Sequence, residues 1–177
     1  MNEASIMEEK EKEPSGLPNA KVGQIVELVQ KLSVLEGSTD KDEVAYALGI
    51  TAKSLSNPLK ASERLGFVTI DGDNITLTEV GKKFEESNED DRKEVFGKQL
   101  SKVEPFSTII RALQKEQEID DDSLLRLVKA KISSARKWKE STNKEMLRMI
   151  LNWGEFGKLF SYDSKTKKVR YLGTQHQ

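Results

Sequence analysis

The chain has 177 residues, of which 36% are hydrophobic and 33% are charged, so it can form one ordinary domain or two small ones with a charged surface. It contains no cysteine, which excludes disulfides and thiolate metal sites. Its single histidine, His176, lies in a polar tail and argues against a histidine triad or a histidine metal cluster. No apolar run approaches the ~18 residues of a membrane span, so we expect a cytoplasmic protein.

The formal net charge of −1 is distributed unevenly. Residues 1–13, here called the acidic segment, contain five glutamates and two lysines, which gives a net charge of −3, whereas residues 20–177 carry a net charge of +2. Together with the Pro/Gly/Ser cluster that follows, this segment predicts a disordered acidic arm over residues 1–18. A surplus of two positive charges is too small by itself to indicate a nucleic-acid-binding protein.

Residues 19–80 predict a first unit of three helices followed by a β-hairpin. Apolar residues recur at helical spacing, and capping or terminating residues separate the helices. These boundary residues are Asn19, Gly37, Gly49 and Thr51. Pro58 lies inside the third helix and either kinks it or opens a new turn. The β-rich runs of residues 66–78 predict the hairpin, and this element order is typical of a winged helix-turn-helix.

Residues 81–104 predict two connecting helices, after which residues 105–172 repeat the helix and hairpin order and residues 173–177 form a tail. Thr142 and Glu145 have the spacing of a capping box at the start of the last helix. The preceding helix is predicted from an apolar stripe formed by Leu125, Val128, Ile132 and Ala135. The predicted fold is therefore mainly α with two small β-hairpins, arranged as tandem winged helix-turn-helix units joined by connecting helices.

The third helix is the candidate DNA-recognition helix. Its polar side chains are of the types that reach phosphates and base edges in a major groove. The candidate contacts are Lys53, Ser54, Asn57, Lys60 and Arg64. The alternative is that these residues form only the solvated face of a compact three-helix fold. The helix has few cations, so DNA binding would be better explained by a dimer whose two helices share one site.

The densest basic segment lies elsewhere, at residues 126–139, which contain six cations, no acid and Trp138. Its functional interpretation is a phosphate-binding surface, with Arg136 and Lys137 as further candidate contacts and Trp138 stacking on a base or packing beneath the lysines. The alternative is that the cations complement the dipole at the C-terminal end of a helix. The sequence leaves both interpretations open.

The second hairpin is also basic, and Lys167 and Lys168 in it are candidate DNA contacts of a wing. The alternative, which the sequence slightly favours, is an exposed hairpin whose lysines keep it soluble and protect its edge from pairing.

Two other groups carry weaker functional signals. Asp120, Asp121 and Asp122 are adjacent carboxylates, and helix capping explains them better than a metal site. The aromatic group near the second hairpin favours core packing over a small-ligand pocket. Its members are Trp153, Phe156, Phe160 and Tyr162. Phosphate-binding glycine loops are absent from the sequence, so we expect no catalytic residue, metal or cofactor.

Three stretches occur in an order that resembles the AAA-associated C-terminal domain: DDRKEVFGKQL (90–100), VEPFSTIIRAL (103–113) and ILNWGEFGKLFSYD (150–163). That domain follows the ATPase of some nitrate/sulfonate/taurine-type ABC transporters and also occurs as free-standing archaeal proteins. The similarity covers about residues 22–172 and implies a winged-helix-containing regulatory module. These residues include no nucleotide-binding domain, so the resemblance transfers no ATPase role and no catalytic residue.

Two functions are compatible with these observations. The first is a DNA-binding transcriptional regulator of archaeal origin that acts on duplex DNA as a homodimer. The alternative is a non-enzymatic module that docks on a protein partner, an ATPase or a larger assembly, through the aromatic second hairpin. If the third helix, the basic segment and a wing share one positive face, DNA binding is favoured. If they are scattered, docking is favoured.

Overall fold

The computed structural model describes residues 16–173. The first unit consists of three helices and a small sheet. Its elements are α1 Val22–Val34, β1 Ser38–Asp40, α2 Lys41–Leu48, α3 Ala52–Arg64, β2 Val68–Asp71 and β3 Asn74–Leu77. Two helices connect it to the second unit, namely α4 Glu79–Glu86 and α5 Glu89–Leu100.

The second unit repeats the arrangement of the first. Its elements are α6 Phe106–Glu116, β4 Glu118–Asp120, α7 Asp121–Lys131, a 3-10 helix Ser133–Lys137, α8 Glu140–Phe156, β5 Phe160–Asp163 and β6 Lys168–Tyr171. The two antiparallel sheets have equivalent strand orders, β1-β3-β2 and β4-β6-β5. The prediction of a mainly helical protein with two small hairpins is confirmed, and each sheet gains a short third strand. None of the helices in residues 16–173 is long and apolar enough to cross a membrane.

Local signals explain most element boundaries, but the caps predicted at Asn19 and Thr142 are wrong. α1 begins at Val22 rather than beside Asn19, because the Asn19 side chain instead donates a hydrogen bond to Glu145 Oε1 at 2.6 Å. α8 begins at Glu140, so Thr142 lies inside the helix and does not cap it. Both polar side chains look like caps locally, but longer-range packing decides where the helices start.

α3 is one continuous helix that starts after its predicted cap. The Thr51 hydroxyl accepts a hydrogen bond from the Ser54 backbone N–H at 3.0 Å. Pro58 is buried within the helix and neither ends it nor opens a new one. The buried Ser62 hydroxyl donates to the Pro58 carbonyl at 2.8 Å, which satisfies its own polar group inside the core.

The two units share one hydrophobic core, which is joined by a chain of aromatic rings. Phe67 stacks on Phe84 with centroids 4.4 Å apart, and Phe96 lies 6.2 Å from Trp153 in an edge-on arrangement. Trp153 in turn stacks on Phe106 at 5.9 Å. These rings link the first sheet, the connecting helices and the second unit, so neither unit has a core of its own.

The chain that precedes α1 packs on this core. Leu17 is 7% exposed and Ala20 is 1% exposed, and the Ala20 carbonyl accepts a hydrogen bond from Trp153 Nε1 at 2.8 Å. Pro18 is also buried. The expectation of a disordered arm over residues 1–18 is therefore wrong from residue 16 onward, and residues 1–15 lie outside the described part of the chain.

Candidate nucleic-acid interface

The exposed face of α3 carries a polar stripe. Lys53, Asn57 and Lys60 are exposed and are spaced four and three residues apart, so they lie on one side of the helix. Leu55 and Leu59, at 1% and 4% exposure, form the opposite side against the core. Lys53, Asn57 and Lys60 are thus free to meet a ligand, as a recognition helix requires.

Ser54 differs from these three candidates because it takes part in capping. Its hydroxyl accepts a hydrogen bond from the Thr51 hydroxyl at 3.0 Å, and its backbone N–H donates back to Thr51 Oγ1. Its side chain is exposed, but a contact with a ligand would have to share the hydroxyl with the cap.

Arg64 continues the stripe at the end of α3 and holds the incoming chain. Its Nη1 donates a hydrogen bond to the Gly16 carbonyl at 2.6 Å. Burial lowers the pKa of the Arg64 guanidinium, while the neighbouring Glu63 carboxylate acts in the opposite direction. Arg64 is therefore a structural junction as well as a cation, which the sequence pattern did not indicate.

The basic segment of residues 126–139 does not form a single helix. α7 ends at Lys131, Ile132 adopts an extended conformation with its side chain fully buried, and a 3-10 helix follows. The dipole explanation therefore applies only to Lys129 and Lys131 in the last turn of α7. The predicted apolar stripe is also displaced at its start, because Leu124 is buried whereas Leu125 is only partly buried.

The remaining cations of this segment lie on the 3-10 turn. Arg136 and Lys137 are exposed, and neither forms an ion pair with any residue in 16–173. Arg136 Nε donates a hydrogen bond to the Lys129 carbonyl at 3.2 Å. Trp138 is partly buried against the core, which supports packing beneath the cations over stacking on a base.

Gly16 brings the end of α3 and the 3-10 turn together. Its carbonyl accepts from Arg64, and a Cβ built on Gly16 would lie 3.3 Å from Ser134 Oγ. Arg136 and Lys137 follow Ser134 by two and three residues, which corresponds to about 4–6 Å along a 3-10 helix. Cations from α3 and from the basic segment thus flank the same short piece of chain.

We call this region the basic surface. Its members are Asn57, Lys60, Arg64, Arg136 and Lys137. A depression of about 420 Å³ lies on its α3 side, lined by Gly16, Leu17, Pro18, Asn57, Lys60, Glu63 and Arg64. Lys53 lies farther along the stripe, about 16 Å from Arg64 for eleven residues of helix. Along α3, the Asn57 amide therefore lies between the two cations Lys53 and Lys60.

The second hairpin is closer to charge balance than its sequence suggests. Lys168 and Arg170 each form an ion pair with Glu118 on β4, both at 3.2 Å. These two partners hold the pKa of the Glu118 carboxyl below its usual value. Lys167 lies in the turn with a positive φ of 54°, and its carbonyl accepts from the Asp121 N–H at 3.2 Å. Of the two candidates, Lys168 is thus already paired.

The other groups singled out in the sequence have structural roles. Asp120 caps α7 by accepting from the Ser123 N–H at 2.8 Å, and within residues 16–173 no three His, Asp or Glu side chains are grouped to hold a metal ion. Trp153 and Phe160 are buried at 1% and 0% exposure. The aromatic second hairpin therefore belongs mainly to the core and offers little surface for docking.

The WGEFG stretch serves close packing of α8. A Cβ on Gly154 would lie 1.9 Å from Phe160 Cζ, and one on Gly157 would lie 2.8 Å from Gly97 Cα. Glycine is thus required at both positions for the approach of β5 and α5. The most specific part of the family resemblance therefore reports how α8 packs, and does not mark a binding site.

The sequence analysis missed a groove of mixed polarity between α1 and α2. The groove has a volume of about 330 Å³ and is lined by Glu27, Gln30, Lys31, Val34, Ala47 and Leu48. Val34 is 74% exposed, and the nearby Tyr46 and Ile50 are 88% and 38% exposed. Val34 and Tyr46 fall outside the apolar stripes of their helices, and this is the only feature of the sequence that points to the groove.

Fold and site together define a mainly helical protein of two similar units that share one core and bring the end of α3 close to the 3-10 turn. The chain belongs to the family of the C-terminal AAA-associated domain, whose family model matches residues 42–163. The match extends from α2 to the end of β5 and includes α3, the basic segment and the WGEFG stretch. No curated protein and no solved structure matched the chain.

Proposed function

We propose that this protein is a non-enzymatic, cytoplasmic, duplex-DNA-binding protein that acts as a transcriptional regulator. In this proposal both units are winged helices, and α3 of the first unit enters the major groove. Lys53, Asn57 and Lys60 reach base edges and phosphates, while Arg136 and Lys137 bind the adjacent backbone.

One observation carries the proposal. The sequence does not show how α3 and the basic segment lie relative to each other. In the structure, Gly16 accepts a hydrogen bond from Arg64 of α3 and lies next to Ser134 of the basic segment. Two cationic elements that lie close together can follow a phosphate backbone, whereas distant ones cannot. Each protomer supplies few cations, so we propose that a homodimer supplies enough contacts for stable binding.

The proposal is tested by charge reversal on the basic surface. The double variant Lys60→Glu, Arg136→Glu changes one exposed cation on each element and spares Arg64, which holds the incoming chain. The control Lys98→Glu, Lys115→Glu reverses two exposed lysines outside this surface. Fluorescence anisotropy with random-sequence duplex DNA measures affinity, and circular dichroism checks that both variants remain folded.

We expect the first variant to bind at least about tenfold more weakly than the wild type, with a reduced dependence on salt, because each protomer of the dimer loses two phosphate contacts. We expect the control to change affinity much less. Equal losses in both variants would show that only the overall charge matters. Unchanged affinity in both would exclude the basic surface as the DNA contact.

A second function is favoured by the groove between α1 and α2. Val34 in the groove and Tyr46 next to its Ala47 are exposed, and the family is described as a C-terminal AAA-associated domain. In this alternative the groove docks on an ATPase subunit. The double variant Val34→Asp, Tyr46→Asp would then abolish co-purification with that subunit, whereas the Lys60→Glu, Arg136→Glu variant would retain it.

A further inference from the structure

The chain enters the described structure in the middle of the basic surface. Gly16 is fixed there by Arg64 and borders Ser134, and the next two residues, Leu17 and Pro18, are buried. Whatever precedes Gly16 therefore starts beside α3 and the 3-10 turn. The acidic segment, with its net charge of −3, ends only three residues before this point.

We propose that the acidic segment, residues 1–13, is an intramolecular ligand of the basic surface and competes there with nucleic acid. Its five glutamates would meet Lys60, Arg136 and Lys137, which have no ion-pair partner among residues 16–173. The competition rests on the proposed function, whereas the contact itself does not.

Reach and tethering both support this contact. An extended chain covers about 3.3 Å per residue, so about five residues span the ~16 Å from Arg64 to Lys53 along α3. The acidic segment is long enough to follow the whole stripe. Single exposed ion pairs are weak, but a short tether gives an effective concentration in the millimolar range, so weak contacts suffice to occupy the surface.

The depression beside Gly16 agrees with this occupant. It is lined by Leu17, Pro18, Asn57 and Lys60, so it lies where the acidic segment joins the described chain. The groove between α1 and α2 is a competing surface for this segment, through Ile6 and Met7. Its lining includes one acid and one base, Glu27 and Lys31, so it offers the glutamates no net positive charge.

A spin label tests the contact without nucleic acid. The chain has no cysteine, so Met7→Cys provides a single labelling site. The measurement is paramagnetic broadening in NMR spectra. At about 20 mM salt, where screening is weak, we expect the nitroxide to broaden the backbone amide NMR signals of Lys60, Arg136 and Lys137. At about 500 mM salt the broadening should disappear. The control replaces Glu8, Glu9 and Glu11 with glutamine in the labelled chain and should lose the broadening at low salt.

Two results would overturn the contact. One is low-salt broadening at Val34 and Ala47 instead, which would place the segment in the α1–α2 groove. The other is no selective broadening at all. Broadening that survives both high salt and the glutamine control would show an apolar contact and would also contradict the electrostatic account.

DNA binding tests the competition. Deleting residues 1–13 should raise affinity for duplex DNA about three- to tenfold at about 50 mM salt, and less at about 200 mM, because a competing polyanion is removed. A full-length chain with the five glutamates changed to glutamine should show the same gain. Equal affinity of all three proteins would refute the competition. If none binds DNA, the proposed function fails, and the spin label alone decides the contact.

Discussion

Gly154→Ala should destabilise the protein although alanine is the better helix former. Gly154 lies near the end of α8, where the ring of the fully buried Phe160 closes over it. An alanine Cβ would lie 1.9 Å from Phe160 Cζ and 2.4 Å from Cε1 and Cε2. Carbon atoms normally approach to about 3.5–4.0 Å, so the ring or the helix must move by about 1.5 Å.

The expected loss of stability follows from two opposing effects. Overpacking a well-filled core costs about 1–3 kcal/mol, and this overlap is deep enough to place the cost at the upper end. Replacing glycine by alanine in a helix returns about 1 kcal/mol. The net loss is therefore about 2 kcal/mol, which lowers the Tm of a protein of this size by about 4–8 °C.

Thermal unfolding followed by circular dichroism measures this loss, and Gly23→Ala is the matched control. Gly23 lies in α1, and a Cβ there would have no heavy atom within 4 Å, so alanine should stabilise by about 0.5 kcal/mol. The added change Phe160→Leu should recover part of the loss in Gly154→Ala, because the two sites are coupled. A Tm for Gly154→Ala equal to or above that of the wild type would refute this packing account.

Three further predictions concern the core, the incoming chain and acid stability. Trp153→Ala should cost about 3–5 kcal/mol in chemical denaturation, and Trp153→Phe should cost less than half of that; equal losses would contradict ring packing as the main term. Deleting residues 1–15 should leave the Tm nearly unchanged, whereas deleting residues 1–18 should lower it by several degrees, because Leu17 is buried. The folded-state pKa of Glu118 is lowered, so its contribution to stability is present above its unfolded pKa and is lost as the pH falls through the folded value. Glu118→Gln should therefore flatten the acid limb of a pH–stability curve, and an unchanged limb would contradict the ion pairs.

Local patterns in the sequence predicted most of the fold. Gly37 and Gly49 have φ angles of 82° and 68°, and glycine adopts such angles without strain, so the sequence marks these helix ends directly. The third strand of each sheet was missed. β1 and β4 have only three residues each, and they form because Thr39 pairs with Ile75 and Ile119 with Val169, which are distant in sequence.

The candidate site could be predicted only in part, because it also depends on contacts between residues that are distant in sequence. The stripe of Lys53, Asn57 and Lys60 follows from helical spacing within α3, and the structure exposes all three. Its proximity to the 3-10 turn does not follow from any pattern, because Gly16 and Arg64 are 48 residues apart and the turn is farther still. The pairing of Lys168 with Glu118 is equally non-local, so the charge of the second hairpin was overestimated.

The salt dependence of duplex-DNA binding by the wild-type protein tests the central claim most directly. A dimer that contacts DNA through both basic surfaces should neutralise about six phosphates, so log affinity should fall with log salt with a slope near −5. Binding should then weaken about a thousandfold between about 50 and 200 mM salt. Affinity that does not change with salt, or no binding at micromolar protein, would contradict the DNA-binding account and favour docking through the groove between α1 and α2.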